Sequence, residues 1–112
     1  MPGSTSGQEF GVREIALGYG RVVLQLTGDF DVGSAPRVDD VLARLSADGH
    51  LCVFDLSRVS FIDSSGLRVL LMGAPADAVG GAIPVTGPLP EVVERLFDLT
   101  GLGDRVRREE GD

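Results

Sequence analysis

Asp63, Ser64, Ser65 and Gly66 stand where an apolar stretch gives way to a helical pattern, in "FDLSRVSFIDSSGLRVLL", residues 54–71. Two adjacent serines beside a carboxylate can do three things. They can cap a helix, supply a nucleophile, or accept a group from another protein. Capping needs one side-chain oxygen facing an orphan backbone N–H, and is worth about 0.5–2 kcal/mol. Asp63 complements the macrodipole at such a start, and Gly66 permits close approach. One serine suffices for capping, which leaves the second without a role.

A serine nucleophile needs a base within hydrogen-bond reach. The single histidine, His50, precedes "LCVFDL". Six strand residues span about 20 Å, so His50 is expected as a loop residue at the other end of the sheet from Ser64. The Gly-x-Ser-x-Gly elbow is also absent. A serine hydrolase is therefore excluded. A phosphate-binding loop would need a lysine, and the chain has none. Asp29, Asp31 and Asp63 are expected near one sheet edge, where carboxylates could approach Mg²⁺; Asp29 reads better as a solvated loop residue. No Cys/His spacing suggests zinc, and Cys52, inside an apolar run, reads as a small buried hydrophobe.

The third option is a serine modified by a partner. A phosphate at a helix N-terminus meets backbone N–H groups and the positive dipole end. It adds about −1.5 to −2 charges at pH 7. Next to Asp63, and with Asp31 close by, it makes a strongly negative knob that repels an acidic or apolar partner surface without refolding the domain.

The elements that must hold this site follow from periodicity. "FGVREIAL" and "VVLQLTG", separated by "GYGR", predict an antiparallel hairpin. Val22, Leu24 and Leu26 share one face of the second strand, and Val23, Gln25 and Thr27 the other. "DFDVGSAPR" reads as a loop ending at a helix start, with Ser34 as N-cap and Pro36 in the first turn. Val38, Val41, Leu42 and Leu45 recur at helical spacing, up to Asp48-Gly49. "LCVFDL" predicts a strand buried on both faces.

A second helix starts at Ser64 or Ser65. Leu67, Leu70 and Leu71 form its inner face with Val69 alongside, Pro75 interrupts or bends it, and Gly80-Gly81 ends it. "AIPVTG" predicts a fourth strand, where Pro84 cannot donate to a ladder. "PLPEVVERLFDLTGLG" predicts a third helix with Val92, Val93, Leu96 and Phe97 inward, and "DRVR" a last short strand. The order β-β-α-β-α-β-α-β requires an α/β fold: one mixed, mostly parallel sheet with an N-terminal antiparallel hairpin strand and about three helices. Residues 1–9 read as a flexible segment, 10–108 as the single domain and 109–112 as an acidic tail.

Composition narrows the function classes. The 112 residues suit one domain. Ten basic and seventeen acidic residues give a net charge of −7, which disfavours nucleic acid. The cluster Arg105, Arg107 and Arg108 is followed at once by acidic residues and reads as solvated. Every basic residue is arginine and asparagine is absent, a pattern of GC-rich, bacterial coding. No apolar run approaches the roughly 20 residues of a membrane span. The first ten residues lack the basic region and apolar core of a signal peptide, so the cytoplasm is the expected compartment.

Three segments, "VVLQLTGDFD", "LCVFDLSRVSFIDSSGLRVLL" and "GPLPEVVERLFDLTGL", with the spacing between them, resemble the STAS family, specifically the bacterial anti-sigma factor antagonists. Together they cover most of residues 10–103. The resemblance implies a regulatory binding module, not an enzyme, with no cofactor and no metal. Its expected partners are an anti-sigma factor that is also a serine kinase, and a serine phosphatase that reverses the modification. Neither nucleic acid nor membrane is expected, and the state expected is a monomer or weak dimer. The unphosphorylated form would bind the anti-sigma factor and release a sigma factor. By position in the motif, Ser64 is the phosphorylated residue and Ser65 serves the helix cap. Asp31, Asp63, Ser64, Ser65, Gly66 and Arg68 form the expected docking surface. One departure stands out: after "SSGL" the family usually continues with polar, often basic residues, where this chain has "MGAPADAVGG". A scaffold or transporter-associated STAS subunit is the alternative, and a nucleotide-binding module a second.

Overall fold

The computed structural model describes residues 9–73 and 82–109. The chain enters with strand β1 (Gly11–Gly18), turns at Tyr19-Gly20 and returns as β2 (Arg21–Phe30). Helix α1 (Ala35–Ala47) crosses to β3 (Leu51–Ile62), and helix α2 (Ser64–Met72) leaves it directly. Strand β4 (Ile83–Thr86), helix α3 (Glu91–Thr100), a 3-10 turn (Gly103–Arg105) and β5 (Val106–Arg108) complete the described order. The strands form one sheet in chain order, β1-β2-β3-β4-β5. β1 is antiparallel to β2, and every later pair is parallel.

This is the mixed α/β architecture that the sequence pattern predicts. Right-handed crossovers that always add the next strand on the same side place all three helices on one sheet face. The core agrees: Leu24, Leu26, Phe54, Leu56, Ile83 and Val85 pack in one buried cluster with Val38, Leu70 and Phe97 of the three helices. Val23, Gln25 and Asp55 alternate onto the opposite face, where Gln25 Nε2 donates to Asp55 Oδ2 at 3.3 Å. Arg44 of α1 pairs with Glu14 of β1 on the helical side.

Several local expectations are corrected. β3 is twelve residues long, not six. Its register with β2 shifts between Gln25 and Thr27 and again between Gly28 and Asp29, where β3 carries an extra residue each time. These bulges break strict alternation, so "SRVSFI" does not look like a strand in the sequence. Asp29 and Phe30 belong to β2 rather than to a loop. In α2, Val69 is buried and Leu71 is only half-buried, the reverse of the expected emphasis. The helix stops at Met72 with Gly73 as C-cap. Pro75, Gly80 and Gly81 lie outside the described residues.

Pro84 is not at the sheet edge, since β4 lies between β3 and β5. It comes just before the first β3–β4 register pair, Phe54 with Val85, so that ladder starts after the residue without an N–H. In α3, Val93 and Phe97 are buried, Val92 and Leu96 pack beside them, and Gly101 closes the helix at φ +74°.

Candidate modification and docking site

The site forms where β2 and β3 end side by side. Phe30 pairs with Ile62 in the last register of the two strands. Asp31 and Asp63 are the next residues of each strand, so the acidic loop and the start of α2 leave the sheet together. Asp63 N–H donates to the Phe30 carbonyl at 3.4 Å and extends the pairing by one residue.

Asp63, not a serine, caps α2. Its backbone is extended (φ −121°, ψ −171°) and its Oδ1 accepts from the amides of Ser65 at 2.8 Å and Gly66 at 3.3 Å. Leu67 N–H reaches the Asp63 carbonyl at 3.0 Å and starts the helical ladder. The assignment of the cap to Ser65 is therefore corrected. An Asp at N-cap outcompetes the following serines because its carboxylate reaches two orphan amides from outside the helix. These amides were the donors expected to receive a phosphate, and Asp63 already occupies them.

Ser64 is the first residue of α2 and is exposed, whereas Ser65 is half-buried and Gly66 buried. The Ser64 hydroxyl has no hydrogen-bond partner among the described residues, and the residue is exposed. Gly66 is buried because the helix start lies hard against β2. A Cβ there would sit 2.6 Å from the Phe30 carbonyl oxygen and 3.0 Å from two atoms of its ring.

The Asp31 loop is tied into a compact knot. Asp31 Oδ1 accepts from Gly33 N–H at 3.0 Å and from Ser34 N–H at 3.3 Å. Ser34, buried at 6 % exposure, stands at the N-cap position of α1 but makes no capping bond. Instead its hydroxyl accepts from Asp31 N–H at 2.9 Å and donates to the Asp29 carbonyl at 2.8 Å. This is the site residue that sequence reading assigned to the wrong task; a Ser three residues after a loop carboxylate carries no signal that separates a cap from a loop tie.

Arg68 lies one turn along α2, exposed, with Nη2 3.9 Å from Asp39 of α1 and Nη1 3.3 Å from the Met72 sulfur. Exposed apolar side chains occur at the same end of the molecule: Val32 in the loop and Phe61 near the end of β3. Asp29, Asp31 and Asp63 do share this edge, yet among the described residues no group of three His, Cys, Asp or Glu could hold a metal ion. His50 lies at the opposite end of β3, as expected, but is only half-exposed, with Nδ1 buried and unpartnered. Cys52 is buried, and burial is the main cause that pushes its thiol pKa up to about 12.

The STAS family model described as "Mlab, STAS domain" matches residues 16–108. The chain belongs to the STAS domain family. Within that family it is similar to the anti-sigma-B factor antagonist of Bacillus subtilis, 34% identical over 86 residues, covering 76% of this chain and 78% of the relative. The fold matches an anti-sigma factor antagonist from Mycobacterium paratuberculosis with a TM-score of 0.73, at 24% identity, covering 89% of this chain and 85% of that one. It also matches the Bacillus cell fate determinant SpoIIAA in its phosphorylated form with a TM-score of 0.64, at 21% identity, covering 88% and 91%. Among the described residues, no helix of this STAS domain is long and apolar enough to cross a membrane.

Proposed function

We propose that this STAS domain is an anti-sigma factor antagonist controlled by phosphorylation of Ser64. The observation that carries the reading is the exposed Ser64 at the first position of a helix, just after Asp63, which follows Ile62 as Asp31 follows its register partner Phe30. The named function of the Bacillus subtilis relative supports it, as does the phosphorylated form of a protein with the same fold.

In this reading the chain is a regulatory binding module of the cytoplasm, without catalysis of its own. Its unphosphorylated form docks on an anti-sigma factor through Asp31, Asp63, Ser64, Ser65 and Arg68, with the buried Gly66 seating the helix start beneath them. That anti-sigma factor is also a serine kinase, and binding frees a sigma factor. Phosphorylation adds about two negative charges beside Asp63 and Asp31. Because Asp63 holds the Ser65 and Gly66 amides, those donors do not neutralise the new charge while the cap stands. The phosphate is left facing the partner, and a serine phosphatase restores binding.

The test is capture from native-host extract on immobilised wild-type chain and on Ser64→Asp, with retained proteins identified by mass spectrometry. A small kinase-like ATPase held by the first and lost from the second is the expected result. Equal retention by both, or capture of transporter or scaffold subunits, would reassign the function.

A further inference from the structure

Gly66 is the one described residue of α2 whose missing side chain lets the helix start touch strand backbone. A methyl there would lie 2.6 Å from the Phe30 carbonyl oxygen, and real Cβ atoms do not approach within 3.0 Å. A movement of about 0.8 Å is needed to reach the shortest ordinary contact, 3.4 Å. The obstacle is backbone, with no rotamer to yield. Phe30 is also fully buried, so its ring is fixed in the core. Gly66 is in the right-handed helix, so its role does not lie in an unusual dihedral: φ is not positive there.

The same carbonyl accepts from Asp63 N–H, and the next residue along β2 is Asp31. One peptide unit, Phe30–Asp31, thus carries the acidic loop on one side and seats the first turn of α2 on the other. We infer that Gly66 is a positioning residue: its contact with Phe30 sets where the Ser64 hydroxyl stands relative to the Asp31 loop, and so how fast Ser64 is phosphorylated. This rests on the reading of Ser64 as a kinase substrate. Phosphoryl transfer needs the attacking oxygen in line and near contact, and a misplacement of about 1 Å can cost up to 100-fold.

Gly73, at the other end of the same helix, gives a matched control. A Cβ there would meet Leu42 Cδ1 at 2.8 Å, Phe54 Cζ at 3.1 Å and the Val69 carbonyl oxygen at 3.2 Å, contacts that involve neither Phe30 nor the first turn of α2. Gly73→Ala should perturb packing while leaving the helix start in place.

The experiment compares wild type, Gly66→Ala and Gly73→Ala as substrates of the serine kinase recovered from native-host extract, with Mg-ATP. Phosphate on Ser64 is followed by mass spectrometry, and melting curves are recorded for each chain. Gly66→Ala is expected to lose about tenfold or more in kcat/KM, and Gly73→Ala to stay within about twofold of wild type at a similar loss of melting temperature. Equal rates for wild type and Gly66→Ala would overturn the inference, as would an equal loss in Gly73→Ala. Wild type that takes no phosphate on Ser64 would overturn the functional reading itself, which separates the two failures. If Gly66→Ala does not fold in dilute buffer, all three chains are compared in a stabilising osmolyte such as TMAO, and equal rates for wild type and Gly66→Ala there would again refute it.

Discussion

The Ser65 amide donates to Asp63 Oδ1 at 2.8 Å, and this bond makes the carboxylate the cap of α2. The Ser65 hydroxyl is thereby relieved of the task its position suggested. Asp63→Ala is expected to lower stability by about 0.5–2 kcal/mol, a melting shift of roughly 4–8 °C per kcal/mol in a domain of this size. Ser64→Ala, which removes a hydroxyl from an exposed residue, should change stability by less than about 0.5 kcal/mol. Urea titration of the two variants checks both. A larger loss in Ser64→Ala than in Asp63→Ala would contradict the assignment of the cap.

Ser34 holds the Asp31 loop from beneath, with its hydroxyl between the Asp31 amide and the Asp29 carbonyl. Ser34→Ala leaves the part-buried Asp31 amide and Asp29 carbonyl without that partner, at a cost of about 0.5–1.5 kcal/mol. Hydrogen exchange should show the Asp31 amide protected in wild type and exposed in the variant, with the amides of α3 unchanged.

Asp55 supplies a pH signature. Burial pushes its pKa up, but the hydrogen bonds from the Ser57 hydroxyl, the Ser57 amide and Gln25, with the charge of Arg58, outweigh burial and leave it lowered. A carboxyl lowered on folding contributes stability that is fully present above its unfolded value of about 3.9 and is lost as pH falls through the folded value. Asp55→Asn should therefore be destabilised at pH 7 by about 1 kcal/mol, a modest figure because solvent screens this partly exposed group. The gap should begin to narrow as pH falls below ~4 and keep shrinking toward the lowered folded value. Denaturation midpoints at pH 3 and 7 measure it.

Cys52 makes the opposite prediction at the alkaline end. With its folded pKa near 12 against about 8.5 unfolded, its contribution is fully present below 8.5 and declines as pH rises toward 12. Stability of wild type should fall between pH 8 and 10.5 more steeply than that of Cys52→Ala. In the native state at pH 8 the thiol should react with a disulfide reagent only as fast as the core opens.

The order of elements was legible because each has a clean period: Val22, Leu24 and Leu26 for β2, Val38 and Leu45 for α1, Val93 and Phe97 for α3. What escaped were features set by tertiary pairing. β3 carries two extra residues against β2: after the first, Val59 turns inward out of step with Phe54 and Leu56, and after the second, Ile62 is back in step with them. No period-2 pattern survives such a shift. The strand-to-helix junction could be read from "DSSGL", but which of its residues caps the helix could not. Asp, Ser and Ser are all good N-cap residues, and only the register of Phe30 with Ile62 decides which of them stands just outside the helix.

The strand order has a consequence for how the chain reaches this state. Each strand pairs with the one made just before it, so no ladder joins the two ends of the sequence. Loop closure is confined to single crossovers, and the associated entropy is met one step at a time. The Phe30 seat and the first turn of α2 that rests on it belong to neighbouring strands, so that contact needs only the β2–α1–β3 crossover to close. β4 and β5 add at the far side of β3, away from the β2 edge that holds the seat.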